Sequence, residues 1–444
     1  MYSNIEMQGT VLAPLKCSLS IDRIGKEALE DFHKDLYQYR GCVTIPPLGM
    51  VDDILTVTEC SVKSVKMNNF VGSKIKCMQL ELGENKCAQL HIGSKKTSCY
   101  DLRINNTKMN KSDKEKYLGE ILTSDGKIAE NIANKHGKGI GTANTILSLL
   151  KEVHFGQYYF EMALLFRNSM LINSMLCSVE ALYGLKDVHV DKLENVDKYL
   201  LKKVLNASST TAVEALYLET GAMPLRFTII SRRLMFYWTI LNKSNKELVK
   251  KVFTIQNIAP IKNDWCMQIK SDLELCNINL SEAEISTMKK EHFKALVKEK
   301  IREQARLYLV SLKDSHTKSK HLDETFTLQP YLKNNSLTID EKHLLFKYRT
   351  YTYNCKANYK WNYPDTKCSF CNSDDTQEHQ LVCSIASDLN LSSTSIKYEQ
   401  IFGTLAEQQQ IVKVLTLIDQ KRYTTNQISS FTGSQAHQSG ASCT

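Results

Sequence analysis

The chain has 444 residues, enough for two or three domains with buried cores, and its 57 Lys and Arg against 48 Asp and Glu leave a formal charge of +9. That excess favours polyanionic partners without demanding them, since a modest basic balance is common among proteins that bind none. No charged-then-apolar leader opens the sequence, and no apolar run approaches the roughly 20 residues that span a bilayer, which predicts an intracellular protein with no membrane partner. Most of the 14 cysteines stand singly in apolar segments, so reduced thiols are expected rather than disulfides.

In chain order, Gln8-Gly9-Thr10-Val11-Leu12-Ala13-Pro14-Leu15 reads as a Gly/Pro-punctuated loop that opens into a helix to about Leu29. Next, Leu48-Gly49-Met50-Val51 and Ile54-Leu55-Thr56-Val57 flank Asp52 and Asp53, which predicts a hairpin with two carboxylates at its tip. Strand-formers around a two-residue acidic turn hold both side chains on a rigid edge, where they can ligate a hard cation such as Mg²⁺. Two-metal phosphoryl transfer needs carboxylates so placed, because the metals must keep attacking and leaving oxygens in line. Taken alone, the same pair is also an ordinary acidic β-turn. Ser61 to Gly72 reads as a helix. Two alternating apolar stretches follow, around Leu80-Glu81-Leu82 and from Cys87 to Ile92, with Lys86 at the start of the second, and then comes Lys116-Tyr117-Leu118-Gly119-Glu120-Ile121-Leu122.

In this order and spacing the chain resembles the reverse transcriptases of non-LTR retrotransposons, from the middle of the palm onward. Gln8, Gly9 and Pro14 are similar to the family's loop that positions template and nucleotide, and Met50-Val51-Asp52-Asp53 to its catalytic acidic box. Lys86 is similar to its palm lysine, and Tyr117-Leu118-Gly119 to its primer grip. The resemblance implies that Asp52 and Asp53 hold Mg²⁺ while a primer 3′-hydroxyl attacks the α-phosphate and pyrophosphate leaves, with Lys86 donating charge or a proton to the departing group. The family has a further catalytic aspartate on a strand well before the Gln-Gly loop, whereas seven residues precede Gln8 here. The expectation is a chain without fingers and first palm strand, with two of three carboxylates, and catalytically incomplete.

Beyond Leu122 the periodicity is helical. Ile128, Ile132, Ile140, Ile146 and Leu149 mark one amphipathic stretch interrupted by Gly137, Gly139 and Gly141; Phe160, Leu164, Met170, Leu171, Met175 and Leu176 mark a second, apolar on most sides. These helices resemble the thumb that grips the template–primer duplex. Further helices are expected at about 189–205, 226–243 and 246–254, and the longest at 282–313, where Ser281 and Glu284 have capping-box spacing. From Glu282 to Lys320 there are ten Lys/Arg and six Asp/Glu, a basic face that suits either solvent or nucleic acid.

Near the C-terminus Cys368, Cys371, His379 and Cys383 have the spacing C-x2-C-x7-H-x3-C. Three thiolates and an imidazole make a closed tetrahedral Zn²⁺ set with no position left for water, so the site is expected to be structural. The motif resembles the Cys-Cys-His-Cys finger that follows the reverse transcriptase in many non-LTR elements. Just before it, Lys347, Arg349, Lys360 and Trp361 belong to a run of interleaved cations and rings that suits single-stranded nucleic acid, the cations meeting phosphates and the rings stacking on bases. The same run also suits a small core around the zinc.

The expected fold class is therefore α+β: a partial reverse-transcriptase palm of antiparallel hairpins plus helices, then a mostly α-helical thumb and C-terminal region with a small zinc finger. The segments are a palm over 1–122, a thumb-like region over 123–210, a helical linker over 211–345, the basic-aromatic segment and finger over 346–390, a helical segment over 391–423 and a disordered Ser/Thr/Gln/Gly-rich tail over 424–444. Expected partners are RNA template and DNA primer, or the element's own RNA, with Mg²⁺ and Zn²⁺ as metals and no small-molecule cofactor. Three functions compete: an RNA-directed DNA polymerase, a non-catalytic nucleic-acid-binding zinc-finger protein derived from a retroelement, and an interaction protein with a chance acidic turn. The ordered motif series argues against the third.

Overall fold

A computed structural model describes residues 13–51, 53–78, 80, 83, 86–93, 101–104, 107–363, 365–383 and 397–436. These residues are mostly helical, with a few short two-stranded pairings. In chain order the elements are α1 (Ala13–Asp31), β1 (Tyr37–Tyr39), β2 (Val43–Ile45), β3 (Leu48–Met50), β4 (Asp53–Leu55), α2 (Ser61–Cys77), β5 (Ala88–Leu90), β6 (Arg103–Ile104), β7 (Thr107–Lys108), β8 (Asn110–Ser112), β9 (Lys114–Tyr117) and β10 (Glu120–Thr123). Helices follow: α3 (Ala129–Glu152), α4 (Tyr159–Phe166), α5 (Ile172–Met175), α6 (Asp187–Val204), α7 (Val213–Thr220), α8 (Leu225–Leu241), α9 (Leu248–Ile258) and α10 (Trp265–Leu275). The last are α11 (Glu282–Thr287), α12 (Lys290–Ser315), α13 (Pro330–Lys333), α14 (Ile339–Arg349), α15 (His379–Val382) and α16 (Leu405–Ala436). Among the described residues no helix is long and apolar enough to cross a membrane.

The chain forms two compact units, each drawn from three stretches of sequence. The first takes Met1–Lys135, Leu176–Val190 and Ile229–Lys300; the second takes His136–Met175, Asp191–Thr228 and Ile301–Thr444.

In the first unit, Ile21, Ile24 and Ala28 recur at helical spacing on α1, and Met67, Phe70, Val71 and Ile75 on α2; all are buried. Ile24, Ala28 and the four α2 residues form one core with Leu36, against which Phe32 and Ile54 pack. The rings of Phe32 and Phe70 lie 4.7 Å apart. The acidic hairpin lies on this core: β3 and β4 pair antiparallel with Leu48 opposite Leu55 and Met50 opposite Asp53. Gly49 makes the approach possible, because a Cβ there would overlap the Ile21 side chain. Val51 is held at φ +57°, a conformation that a β-branched residue rarely adopts. A second hairpin, β9–β10, turns on Leu118 (φ +49°) and Gly119 (φ +89°), and two consecutive left-handed residues match the twist of a tight two-residue connection. A third, β1–β2, carries Arg40 at its turn, whose guanidinium donates to both carboxylate oxygens of buried Asp264 at 2.7 Å and to the Ala259 carbonyl at 2.7 Å.

The second unit is built around buried helices and charged pairs. Arg167 is fully enclosed and grips Asp197 through two bonds of 2.6 Å, while the Tyr217 hydroxyl donates to the same carboxylate at 3.1 Å. Phe160, Leu171 and Met175 of the second expected stretch are buried. The three glycines do not interrupt α3, which runs unbroken. A Cβ on Gly139 would come within 2.9 Å of Met175 Sδ and 3.1 Å of Val196 Cγ1, so its lack of side chain admits close helix packing.

Two further expectations are corrected. The helix expected over 282–313 is two helices, because Met288 is extended (φ −69°, ψ 138°) and ends α11; the Ser281–Glu284 capping box is present. The longest helix is instead α16, with 32 residues, and it carries the expected disordered tail as far as Ala436. A polar stretch without proline can extend a nucleated helix at little cost per residue. Residues 437–444 lie outside the described residues.

Candidate metal centre

The spacing C-x2-C is closed by a tight loop. The Cys368 N–H donates to the Ser373 carbonyl at 2.7 Å, the Asn372 N–H donates to the Cys368 carbonyl at 3.0 Å, and Lys367 pairs with Asp374 across the loop. Asn372 takes the left-handed conformation (φ +62°) that Asn tolerates better than most residues. His379 opens the single turn of α15, and Cys383 follows its end. The four ligand atoms all lie within 4.8 Å of one another. Cys368 Sγ and Cys371 Sγ are each 3.6 Å from Cys383 Sγ, and Cys371 Sγ is 3.1 Å from His379 Nε2.

These separations fit a tetrahedral ion. Zinc–sulfur bonds of about 2.3 Å place ligand sulfurs roughly 3.8 Å apart. A disulfide would need about 2.05 Å, and Cys368, Cys371 and Cys383 are all free thiols. The backbone N–H of Ser373, joined by its hydroxyl and the two neighbouring thiols, holds the Cys371 thiol below its ordinary pKa, favouring the thiolate that binds metal. The set can hold a structural zinc ion, with four protein ligands and no place for a substrate.

What encloses the cluster was not legible in the motif. Cys368 and Cys383 are buried against Val414 and Ile418 of α16, with Phe370 and Leu381 beside them. One residue after the loop, the buried Asp375 carboxylate accepts two bonds of 3.0 Å from Arg422 of α16 and one of 2.8 Å from the Lys356 N–H. Burial opposes ionisation of Asp375, but Arg422 and that N–H hold its carboxyl below the usual range. Gln377 bonds the Tyr353 N–H and the Asn358 side chain through its oxygen, and the Tyr348 carbonyl and Tyr398 hydroxyl through its nitrogen. The Tyr348 hydroxyl donates to Gln380 at 2.7 Å, and its ring stacks on Tyr353 with centroids 4.4 Å apart. The finger is thus continuous with α14 and α16 rather than a separate bead.

The basic-aromatic run divides. Arg349 is corrected: it is 3% exposed, its guanidinium makes three bonds of 3.0–3.1 Å to the fully buried Glu219 and one of 3.0 Å to the Ile401 carbonyl, and the Tyr331 and Phe402 rings flank it at 5.1 and 4.9 Å. A guanidinium neutralised in this way is withdrawn from any phosphate. Lys347 is half-buried in the last turn of α14. Lys360 is exposed, and Trp361 is 66% exposed with its ring edge-on to Tyr359.

Of the palm-like residues, Gln8, Gly9 and Asp52 lie outside the described residues, and Pro14 falls in the first turn of α1. Asp53 is exposed on β4, and Lys86 is exposed, its N–H donating to the Gly83 carbonyl at 2.8 Å. Tyr117, Leu118 and Gly119 form the tip of β9–β10. The Tyr117 hydroxyl donates to the Leu48 carbonyl at 3.1 Å, joining this tip to the acidic hairpin. Burial first, then the nearby Asp53 charge, raises the Tyr117 phenol above its ordinary pKa, so it stays a neutral donor. Set against known proteins, the chain matches no family model, no curated protein and no solved structure.

Proposed function

We propose that the chain acts on nucleic acid as part of a reverse transcriptase of the non-LTR type, residues 1–122 belonging to its palm and the C-terminal region to a zinc-organised module. The observation that carries this reading is the bond from Tyr117 to the Leu48 carbonyl, through which the two motifs similar to the primer grip and the catalytic box adjoin within one unit. The exposure of Asp53 supports it as well, since a carboxylate that takes up hydrated Mg²⁺ must be reachable. Mg²⁺ would supply positive charge at the reacting phosphate. Asp52 and Asp53 would hold that ion, the Tyr117–Gly119 turn would orient the primer strand, and Lys86 would offer its charge to the departing pyrophosphate. Lys360 and Trp361 offer a cation and a stacking ring to single-stranded RNA.

The test is binding and extension of an RNA template annealed to a DNA primer. The protein is expected to bind this duplex with an affinity that falls steeply as salt rises, because released counterions drive association. Any Mg²⁺-dependent nucleotide addition should vanish in the Asp52→Asn/Asp53→Asn variant. Binding with no addition at all would leave the non-catalytic reading. Failure to bind the duplex even at low salt would overturn both.

A further inference from the structure

One ion pair in the first unit, between a buried lysine and a half-buried glutamate, lies directly behind the Tyr117-Leu118-Gly119 turn. Glu120 is the residue after that turn and pairs across the hairpin with Tyr117. Its Oε1 accepts a 2.7 Å bond from the Lys135 ammonium, and its Oε2 accepts from the Asn131 side-chain amide. Lys135 and Asn131 are one turn apart on α3 and are 4% and 3% exposed. The Lys135 ammonium also donates to the Cys177 carbonyl. The connection into α3 is fastened a second time, where the Thr123 hydroxyl donates to the Asp125 carboxylate at 2.8 Å and to the Lys127 carbonyl at 2.9 Å. Leu118 at the tip is 45% exposed. The hairpin is therefore bolted just behind its turn by Glu120 and at its base by Thr123, with the Tyr117 hydroxyl as its lateral tie to the acidic hairpin.

An ordinary fold contact has no need of a buried ammonium: an apolar side chain of the same length would pack without the cost of desolvating two charges. A charged pair instead fixes one geometry, since both partners lose most of their bonding when displaced. We infer that Lys135, through Glu120, is a positioning residue that sets where the Tyr117–Gly119 turn stands relative to the acidic hairpin, and so governs how the protein grips a template–primer duplex. The second half of this inference rests on the function proposed above; the first half does not.

Two measurements on the full chain separate positioning from mere stability. Lys135→Met should speed amide exchange across residues 114–123 by about tenfold while α2 keeps its protection. Affinity for an RNA–DNA template–primer should fall by about tenfold, with affinity for single-stranded RNA of the same length unchanged. The companion Glu120→Leu/Lys135→Met variant removes both charges together, so overall stability should return to the parent value. The hairpin protection and the duplex preference should not return. Parental exchange over 114–123 in Lys135→Met, or recovery of duplex preference along with stability in the double variant, would overturn the inference. If the parent binds neither nucleic acid, the proposed function fails, and the exchange measurement alone decides whether Lys135 positions the turn.

Discussion

Around Cys368, Cys371, His379 and Cys383 the main supports are buried, among them Asp375 held by Arg422 and the stacked Tyr348 and Tyr353, whereas Asp53 stands exposed at the end of a three-residue strand. The cysteine cluster can hold a structural zinc ion, and three thiolates brought this close would repel one another without it, so an ion bound there would be part of the fold. The acidic hairpin is placed by backbone pairing, by Ile54 in the core and by one phenol, none of which uses the Asp53 charge. Stability and metal affinity should consequently be coupled in one region and independent in the other.

The largest effect expected is loss of the thiolate set. Cys371→Ser should lower zinc content, measured by mass spectrometry, from about one ion per chain to near zero. Hydrogen exchange should then rise over 353–383 and, because Val414, Ile418 and Arg422 lean on the finger, over 405–422 as well. Zinc loss confined to a floppy 368–383 loop would break the claim that finger and helix are one body.

Next in size is Arg349→Met, which leaves Glu219 buried without its partner. It should cost about 3–5 kcal/mol in urea unfolding, the usual penalty for stranding a buried charge. A purely nucleic-acid-binding arginine would give a stable variant that binds less RNA.

A smaller, pH-dependent loss should follow from His343, whose imidazole is pushed below its ordinary pKa by burial, against the Val204 carbonyl that accepts from it at 2.9 Å. The unfolded chain protonates this group first, so its contribution is whole above about pH 6.5 and is lost as pH falls from there toward the folded value. Asp375, also depressed, adds the same sign of change at more acid pH. Thermal melts of the His343→Gln variant should be flatter than the parent between about pH 6.5 and 5.

Smallest of all, Asp53→Asn should shift unfolding by no more than about 0.5 kcal/mol, as for other exposed positions away from special contacts. A loss several times larger would mean that this carboxylate supports the fold, and the contrast between the two regions would collapse.

The cysteine ligands were legible because all four fall within sixteen residues, so spacing alone carries their geometry. Arg349 was misread for the opposite reason. Its neighbours Lys347, Tyr348 and Tyr351 look like a nucleic-acid face, but its partner Glu219 is 130 residues earlier and no local pattern announces it. The acidic hairpin could be expected from strand-formers flanking Asp52 and Asp53, while the tie from Tyr117 to the Leu48 carbonyl, 69 residues apart, could not. Nor does periodicity show that Met288 leaves the helical region: apolar spacing runs on through the break between α11 and α12. Short-range chemistry was visible in the order of residues; pairing between distant segments was not.

The interleaving of the two units bears on how the chain can be made. It passes between them five times, so neither corresponds to a contiguous stretch. On a ribosome the first unit lacks part of its helices until Lys300 has emerged, and the second waits for its last helix. Partly built units expose apolar faces that chaperones recognise. No single cut in the gene yields either unit free of pieces of the other, and an expression fragment that starts at Met1 and ends between residues 136 and 299 leaves both unfinished.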